Sequence, residues 1–319
     1  IHTYARKELA RSNEALQQVT RYYIVFCYTQ SKAGLEGYAR LDDERVHYLR
    51  LIKTCLNSER WREVQALVGV IGEYLDRQGH WREDLTATDM RLTAARQAGD
   101  RQDEGWCLNS LGCTCNSCGE HDKALQWYEQ CLPICRELGE RKQESVTLNN
   151  IGETYRGQRK YKQALQQYEQ SLTIKRKIGD REGEGVTMNN IGLVYNIQDD
   201  YETALQYYEQ ALPILREGGD NTIESSTLNN IAEIYRVQGN VAKALEYHEQ
   251  ALIIRRELGD RAEEAGSCWN IGRTYYDRGE LAKAEEYMVL AVQIAENIGH
   301  PELELFREGL ELLRAEQQR

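Results

Sequence analysis

Proline is nearly missing, with three residues in 319, so long helices can form without interruption. Phenylalanine is scarcer still. Two Phe stand against 20 Tyr, which predicts aromatic core positions that reach toward water through a hydroxyl. No apolar run approaches ~18 residues, so a membrane-spanning helix is not expected. Positive charge is not in excess: the formal net charge is −11 and the pI about 5.2, which argues against a protein built to neutralise nucleic-acid phosphates. The sequence carries no G-x-x-x-x-G-K-[ST] loop, so a nucleotide-binding core, if one exists, lies outside this chain. It carries no initiator Met either. The opening "IHTYARKELA" already follows a helical pattern, and we expect the chain to be a piece of a longer polypeptide. No Ser/His/Asp set, Cys/His set or carboxylate pair emerges, so neither an enzyme nor a cofactor is expected. Nine Cys in a large helix-rich chain do not form a secreted disulfide framework, and a reducing cytoplasm is the expected location.

What is present is a repeat. Aligning every fortieth residue gives six blocks that start at Trp61, Arg101, Arg141, Arg181, Asn221 and Arg261. Each has Gly as its last residue but one: Gly99, Gly139, Gly179, Gly219, Gly259 and Gly299. Glycine there suits the left-handed residue that ends a helix. Asp or Glu follows in five of the six, as suits the start of the next helix. A second break falls mid-block, in "RGQRK", "VQGN" and "DRGE". Each block therefore predicts helix A, turn, helix B, turn. On a wheel at ~100° per residue, Leu148, Ile151, Gly152 and Tyr155 make the core face of one helix A. Tyr161, Ala164, Leu165, Tyr168, Ser171 and Leu172 make the matching face of helix B.

Those columns recur as Met188, Ile191, Gly192, Tyr195, Ala204, Tyr208 and Ala211. They resemble the tetratricopeptide repeat (TPR), in the longer form found in kinesin light chains and Pins-type scaffolds. The likeness is strong over 101–300 and weaker in 61–100, where Asp84 and Arg91 replace small helix B residues. It implies an all-α fold, a right-handed α-solenoid of antiparallel helix pairs. Its six repeats would be 61–100, 101–140, 141–180, 181–220, 221–260 and 261–300. Residues 301–319 would form one closing helix over the last apolar face, and 1–60 an N-terminal helical adaptor. In the adaptor we expect helices near 3–32 and 42–56, with a break around "KAGLEG". The segment from Leu41 to Leu85 resembles the start of the TPR array in bacterial STAND-type signalling ATPases, in which an NB-ARC-like core precedes such helices. The resemblance implies a nucleotide-binding domain upstream in the same polypeptide. A free-standing scaffold of the kinesin light chain or Pins type and a small-molecule sensor of a STAND regulator remain open.

The unusual feature is a pair of Asn residues within helix A, since Asn is a poor helix former. The first column reads Asn109, Asn149, Asn189, Asn229, then Trp269; the second reads Ser110, Asn150, Asn190, Asn230, Asn270. The wheel puts Asn149, Glu153 and Arg156 opposite the core face, with Asn150 at its edge. In TPR arrays that side lines the concave groove. A carboxamide can pair with both the C=O and N–H of a guest peptide unit. Helices packed ~8–10 Å apart would then grip an extended chain about every third residue. TPR proteins such as O-linked N-acetylglucosamine transferase have a similar Asn ladder. The competing reading is that each Asn bonds a neighbouring helix. The variable columns would add selectivity: Glu153, Leu193, Glu233 and Arg273 in one, Arg156 and Arg236 in another. Glu153–Arg156 and Glu233–Arg236 also read as ordinary i,i+3 ion pairs. Trp269 reads either as an exposed anchor or as packing on the closing helix. The expected partner is a protein or peptide segment, with no nucleic acid and no membrane. The run "CLNSLGCTCNSC" suggests zinc, but Cys113 and Cys115 diverge by ~200° on a helix, so no metal site is expected. Pro133 and Pro213 should bend helix B.

Overall fold

The computed structural model describes residues 13–33 and 35–317. Among the described residues there are fifteen helices and no strand. The chain divides into two compact units, Ile1–Lys160 and Tyr161–Arg319.

The first unit holds α1 (Asn13–Ser31), α2 (Leu35–Asn57), α3 (Trp61–Arg77), α4 (Trp81–Ala98), α5 (Arg101–Ser117), α6 (His121–Leu138) and α7 (Arg141–Gly157). Residues 3–12 of the expected first helix lie outside the described residues. The second helix starts at Leu35 rather than Asp42. The difference lies in Gly37, read as part of a break. It sits inside α2, against α1, where a Cβ would stand 1.9 Å from the Gln30 carbonyl oxygen. Glycine serves close approach there, not a turn. The core of α1–α4 gathers Leu16, Tyr23, Tyr48, Ile52, Leu67, Ile71 and Tyr74. Its tyrosines do not rely on water. Tyr48 donates to the Leu67 carbonyl at 3.0 Å, Tyr23 to Glu44 at 2.7 Å and Tyr74 to Asp42 at 2.6 Å.

The second unit holds α8 (Tyr161–Ile178), α9 (Arg181–Ile197), α10 (Tyr201–Gly218), α11 (Asn221–Val237), α12 (Val241–Leu258), α13 (Arg261–Asp277), α14 (Leu281–Ile298) and α15 (Leu303–Gln317). Its core includes Tyr208, Leu228, Ile231 and Ile234, then Ile271, Met288 and Phe306 toward the C-terminal end. Helices α6 and α10 run unbroken through Pro133 and Pro213, both exposed.

The punctuation of the sequence is visible at both kinds of turn. Gly179 ends α8 with φ 74°. Asp180, Asp220 and Asp260 then cap the following helices by accepting from the backbone N–H three residues on. In the mid-repeat turns, Arg159 and Asp199 hold φ of 59° and 61°, where Gly119, Gly239 and Gly279 stand in other repeats.

One element of the packing escaped the sequence reading. The fourth residue of each helix A from α5 onward is a buried glutamate, held by arginines from two helices. Glu104 takes Arg96 of α4 at 2.9 Å and Arg101 of α5 at 2.5 Å. Glu144 pairs likewise with Arg136 and Arg141, Glu184 with Arg176 at 2.9 Å and Arg181 at 2.7 Å, and Glu264 with Arg256 and Arg261. Glu224 keeps only Arg216, at 2.7 Å, because Asn221 replaces the second arginine. The signal was present: Glu recurs at that place in all five blocks, eight residues after an Arg.

Candidate functional site

The Asn columns lie on helix A of their repeats, and the carbonyl oxygens of Asn109, Asn189 and Asn229 bond the following helix A within their own unit. In the first unit, Asn109 Oδ1 accepts from Thr147 Oγ1 at 3.0 Å and from Asn150 Nδ2 at 3.3 Å. Asn150 Nδ2 also lies 3.3 Å from the Cys113 sulfur, which takes the Tyr128 hydroxyl at 3.5 Å. In the second unit, Asn189 Oδ1 accepts from Thr227 Oγ1 at 2.9 Å. Asn229 Oδ1 accepts from Asn270 Nδ2 at 3.1 Å and meets the His248 ring nitrogen Nδ1 at 3.0 Å.

These bonds differ from the expected two-way grip on a guest. The helical wheel places Asn149 opposite the core, yet Asn149 and Asn189 are buried at 8% and 6% exposure. A wheel treats a helix as having one interface, whereas helix A is packed along both flanks by its neighbours. What is left over is the donor half of the carboxamide. Among the described residues, Asn189 Nδ2 and Asn229 Nδ2 donate to nothing within the chain, and the half-buried Asn230 makes no side-chain hydrogen bond. Asn190 is buried at 8% exposure.

The charged columns separate into a closed pair and an open one. Glu233 meets Arg236 in two bonds of 2.9 and 2.6 Å, and Arg236 continues to Asp277 at 2.6 Å. Arg273 stands 3.8 Å from Glu233. Burial pushes the Glu233 carboxyl up, but the bonds from Arg236 outweigh it and hold the group below the usual carboxylate range. Glu153 and Arg156 have the same spacing and form no such pair. Burial pushes the Glu153 carboxyl above its ordinary value, with Arg156 only partly opposing. Arg156 Nε is buried with no hydrogen-bond partner. Leu193 is half-buried on α9.

Trp269 packs on the closing helix. Its ring stacks on Phe306 of α15 with centroids 4.8 Å apart, and a Cβ on Gly309 would stand 2.4 Å from the indole. His248 is fully buried, and burial lowers its pKa to about 4, so its imidazole is neutral at physiological pH. All nine cysteines are free thiols, and among the described residues no group of three or more His, Cys, Asp or Glu could hold a metal ion. No described helix is long and apolar enough to cross a membrane.

The tetratricopeptide repeat profile matches residues 105–138, 143–217 and 224–297, more than half of the sequence. The chain belongs to the tetratricopeptide repeat family. No curated protein matches it. Among solved structures, this TPR chain is similar to BtubC (BKLC) from P. vanneervenii, at 23% identity and a TM-score of 0.62, over 69% of this chain and 94% of that one. It is similar to a signal transduction ATPase with numerous domains (STAND) from Pyrococcus horikoshii that carries a tetratricopeptide repeat sensor, at 18% identity and a TM-score of 0.67. That match covers 98% of this chain and 48% of the other. A third likeness is to a Rap protein complexed with competence and sporulation factor, at 15% identity and a TM-score of 0.58, over 85% and 81% of the two chains. At these identities the likeness shows the fold: an all-α helical repeat solenoid.

Proposed function

We propose that this TPR chain is a non-catalytic binding module that holds an extended peptide or protein segment against its helix A faces. The observation that carries the reading is the half-used carboxamide. The acceptor ends of Asn109, Asn189 and Asn229 bond the next helix, and the donor ends of Asn189 and Asn229 are left for a guest. The grip is therefore a row of N–H donors aimed at guest carbonyls, without a matching row of acceptors. Asn230 extends the row in the second unit, whereas Asn150 and Asn270 each spend a donor on the preceding repeat, on Asn109 and Asn229. Selectivity comes from Glu153 and Arg156, whose charges lack a bonded partner, and from Leu193, Glu233, Arg236 and Arg273. Trp269 contributes indirectly, by fixing α15. The likeness to a STAND protein supports a further reading: a ligand-sensing arm in a cytoplasmic signalling protein whose nucleotide-binding domain lies upstream.

The test is a substitution that separates the two ends of the carboxamide. Asp keeps the carbonyl oxygen that Thr227 needs and removes the amide donors. A guest is first selected from a random peptide library, and its affinity and the melting temperature are then measured on Asn189→Asp and Asn229→Asp. We expect weaker binding, by at least about 1 kcal/mol for each lost hydrogen bond, in variants that stay folded; the new carboxylate should lower the melting temperature most at the buried Asn189, a loss recovered on acidification. Unchanged affinity would make the Asn columns purely structural.

A further inference from the structure

Helix α6 carries two cysteines one turn apart, Cys131 and Cys135, buried at 0% and 2% exposure. Their sulfurs stand 3.6 Å apart. No other repeat places two thiols there. The column of Cys131 reads Ser171, Ala211, Ala251 and Ala291 in the later repeats, and that of Cys135 reads Lys175, Leu215, Arg255 and Ala295. Cys131 Sγ lies 3.2 Å from the Gly105 carbonyl oxygen of α5 and 3.5 Å from Thr147 Oγ1 of α7. Sulfur makes weak hydrogen bonds, so these cost little to give up. The pair also borders open space. Cys135 and Gly105 line a half-open cavity of about 110 Å³ among α5, α6 and α7, with Gln102, Glu140 and Gln143 as the polar part of its lining.

Two thiols at this spacing join either directly or through a third atom. Direct joining is disfavoured. Side chains four apart on a helix have Cβ atoms about 5–6 Å apart, whereas a disulfide needs about 3.5–4.5 Å. The helix would have to unwind. A bridging atom needs no such movement, because the sulfurs already lie within reach of one centre. Zinc is a poor choice: it takes four ligands, and among the described residues no third His, Cys, Asp or Glu joins the pair. Cuprous ion is satisfied by two thiolates. It prefers them on opposite sides, however, and it leaves a bis-thiolate anion in a buried site, which costs free energy. Trivalent arsenic fits on both counts. It is pyramidal, so it holds two sulfurs close together, and its product with two thiols is neutral.

From this geometry we infer that Cys131 and Cys135 form a binding site for arsenite. Each thiol replaces one hydroxyl of arsenous acid. Two As–O bonds break, two As–S bonds form, and the two hydroxyls leave as water with the thiol protons; no oxidant or reductant is consumed. The third hydroxyl stays on arsenic, in the cavity beside Cys135, whose lining offers the carboxamides of Gln102 and Gln143. Arsenous acid is uncharged at neutral pH, so the net charge of −11 does not repel it. The site uses none of the Asn donors, so it stands or falls separately from the peptide row.

The experiment is native mass spectrometry of the intact chain with arsenite in excess glutathione. Glutathione is a single thiol and keeps the exposed Cys118 from holding arsenic, whereas a preformed pair competes through its effective concentration. We expect one arsenic per chain, with the mass of arsenous acid gained and that of two waters lost. Cys131→Ala and Cys135→Leu introduce the residues that Ala211 and Leu215 show to fit their columns. Each should weaken binding by about tenfold or more, with circular dichroism reporting that the helices persist. Should one variant fail to fold, the other decides. Cys118→Ser should change nothing. No net proton is released, so arsenite affinity should stay level around neutral pH, whereas affinity for cuprous ion rises with pH. Tighter binding of cuprous ion than of arsenite overturns the proposal. So does retention of arsenic in both variants, the lack of any adduct at millimolar arsenite, or a Cys131–Cys135 disulfide that diamide closes without loss of helix.

Discussion

Glu153 shows how far one residue can depart from its repeat. Its counterpart Glu233 is neutralised by Arg236 at 2.6 Å, whereas Glu153 is half-buried beside an arginine that does not bond it. A carboxyl whose folded pKa is raised stabilises the fold at low pH and loses that stabilisation as pH rises through the folded value. Glu153→Gln should therefore raise the melting temperature at pH 7. The gain should shrink on acidification and vanish below the unfolded carboxyl pKa of about 4.3. A gain that persists at pH 3 would mean that burial of the charge is not the cause. Arg159 offers a second case at this scale. It holds φ 59° in a turn where other repeats use glycine, at a cost of about 1 kcal/mol for an L-residue. Arg159→Gly should stabilise the chain by a similar amount, read from the urea midpoint.

At the scale of the helix, consecutive repeats are joined by polar clamps as well as by apolar faces. Glu184 is the example. Burial pushes its carboxyl up, but the bonds from Arg176 and Arg181 outweigh burial and hold it below the ordinary value. A carboxyl with a lowered folded pKa contributes stability above its unfolded pKa and loses it as pH falls through the folded value. The partners are half exposed, at 51% and 62%, so solvent screens the pairs. Glu184→Gln should cost roughly 1–2 kcal/mol at pH 7 and much less near pH 3. Chemical denaturation at the two pH values would show it, and equal losses at both would remove the ionic account.

For the whole molecule, nearest-neighbour packing implies that damage stays local. Trp269 ties α13 to α15 through its stack on Phe306. Trp269→Ala should leave a cavity costing about 3–5 kcal/mol within the second unit. Hydrogen exchange on the intact chain should then quicken in 281–317 and stay unchanged in 61–117. Uniform quickening over both segments would mean that the chain opens as one cooperative body instead.

The sequence alone determined what depends on local and periodic chemistry. The 40-residue period, the Gly and Asp punctuation and the apolar columns fix the helices from Trp61 to Ile298, because backbone preference and burial repeat with the chain. The tertiary structure decided whatever depends on the next repeat's side chains. Asn109 and Asn189 are both Asn on a helix A, yet only packing reveals that Thr147 and Thr227 take their carbonyls, that the Asn109 amide turns to the Cys113 sulfur and that the Asn189 amide is left over. The spacing of Glu153–Arg156 and Glu233–Arg236 is identical, and only the fold tells the open pair from the closed one. Asp84 and Arg91 read as a weak first repeat, and only the structure shows that Asp84 lines a cavity with Thr88, beside Gly72. The physical reason is common to all three. A periodic sequence specifies each helix face by itself, whereas a hydrogen bond or a void belongs to two or three helices at once.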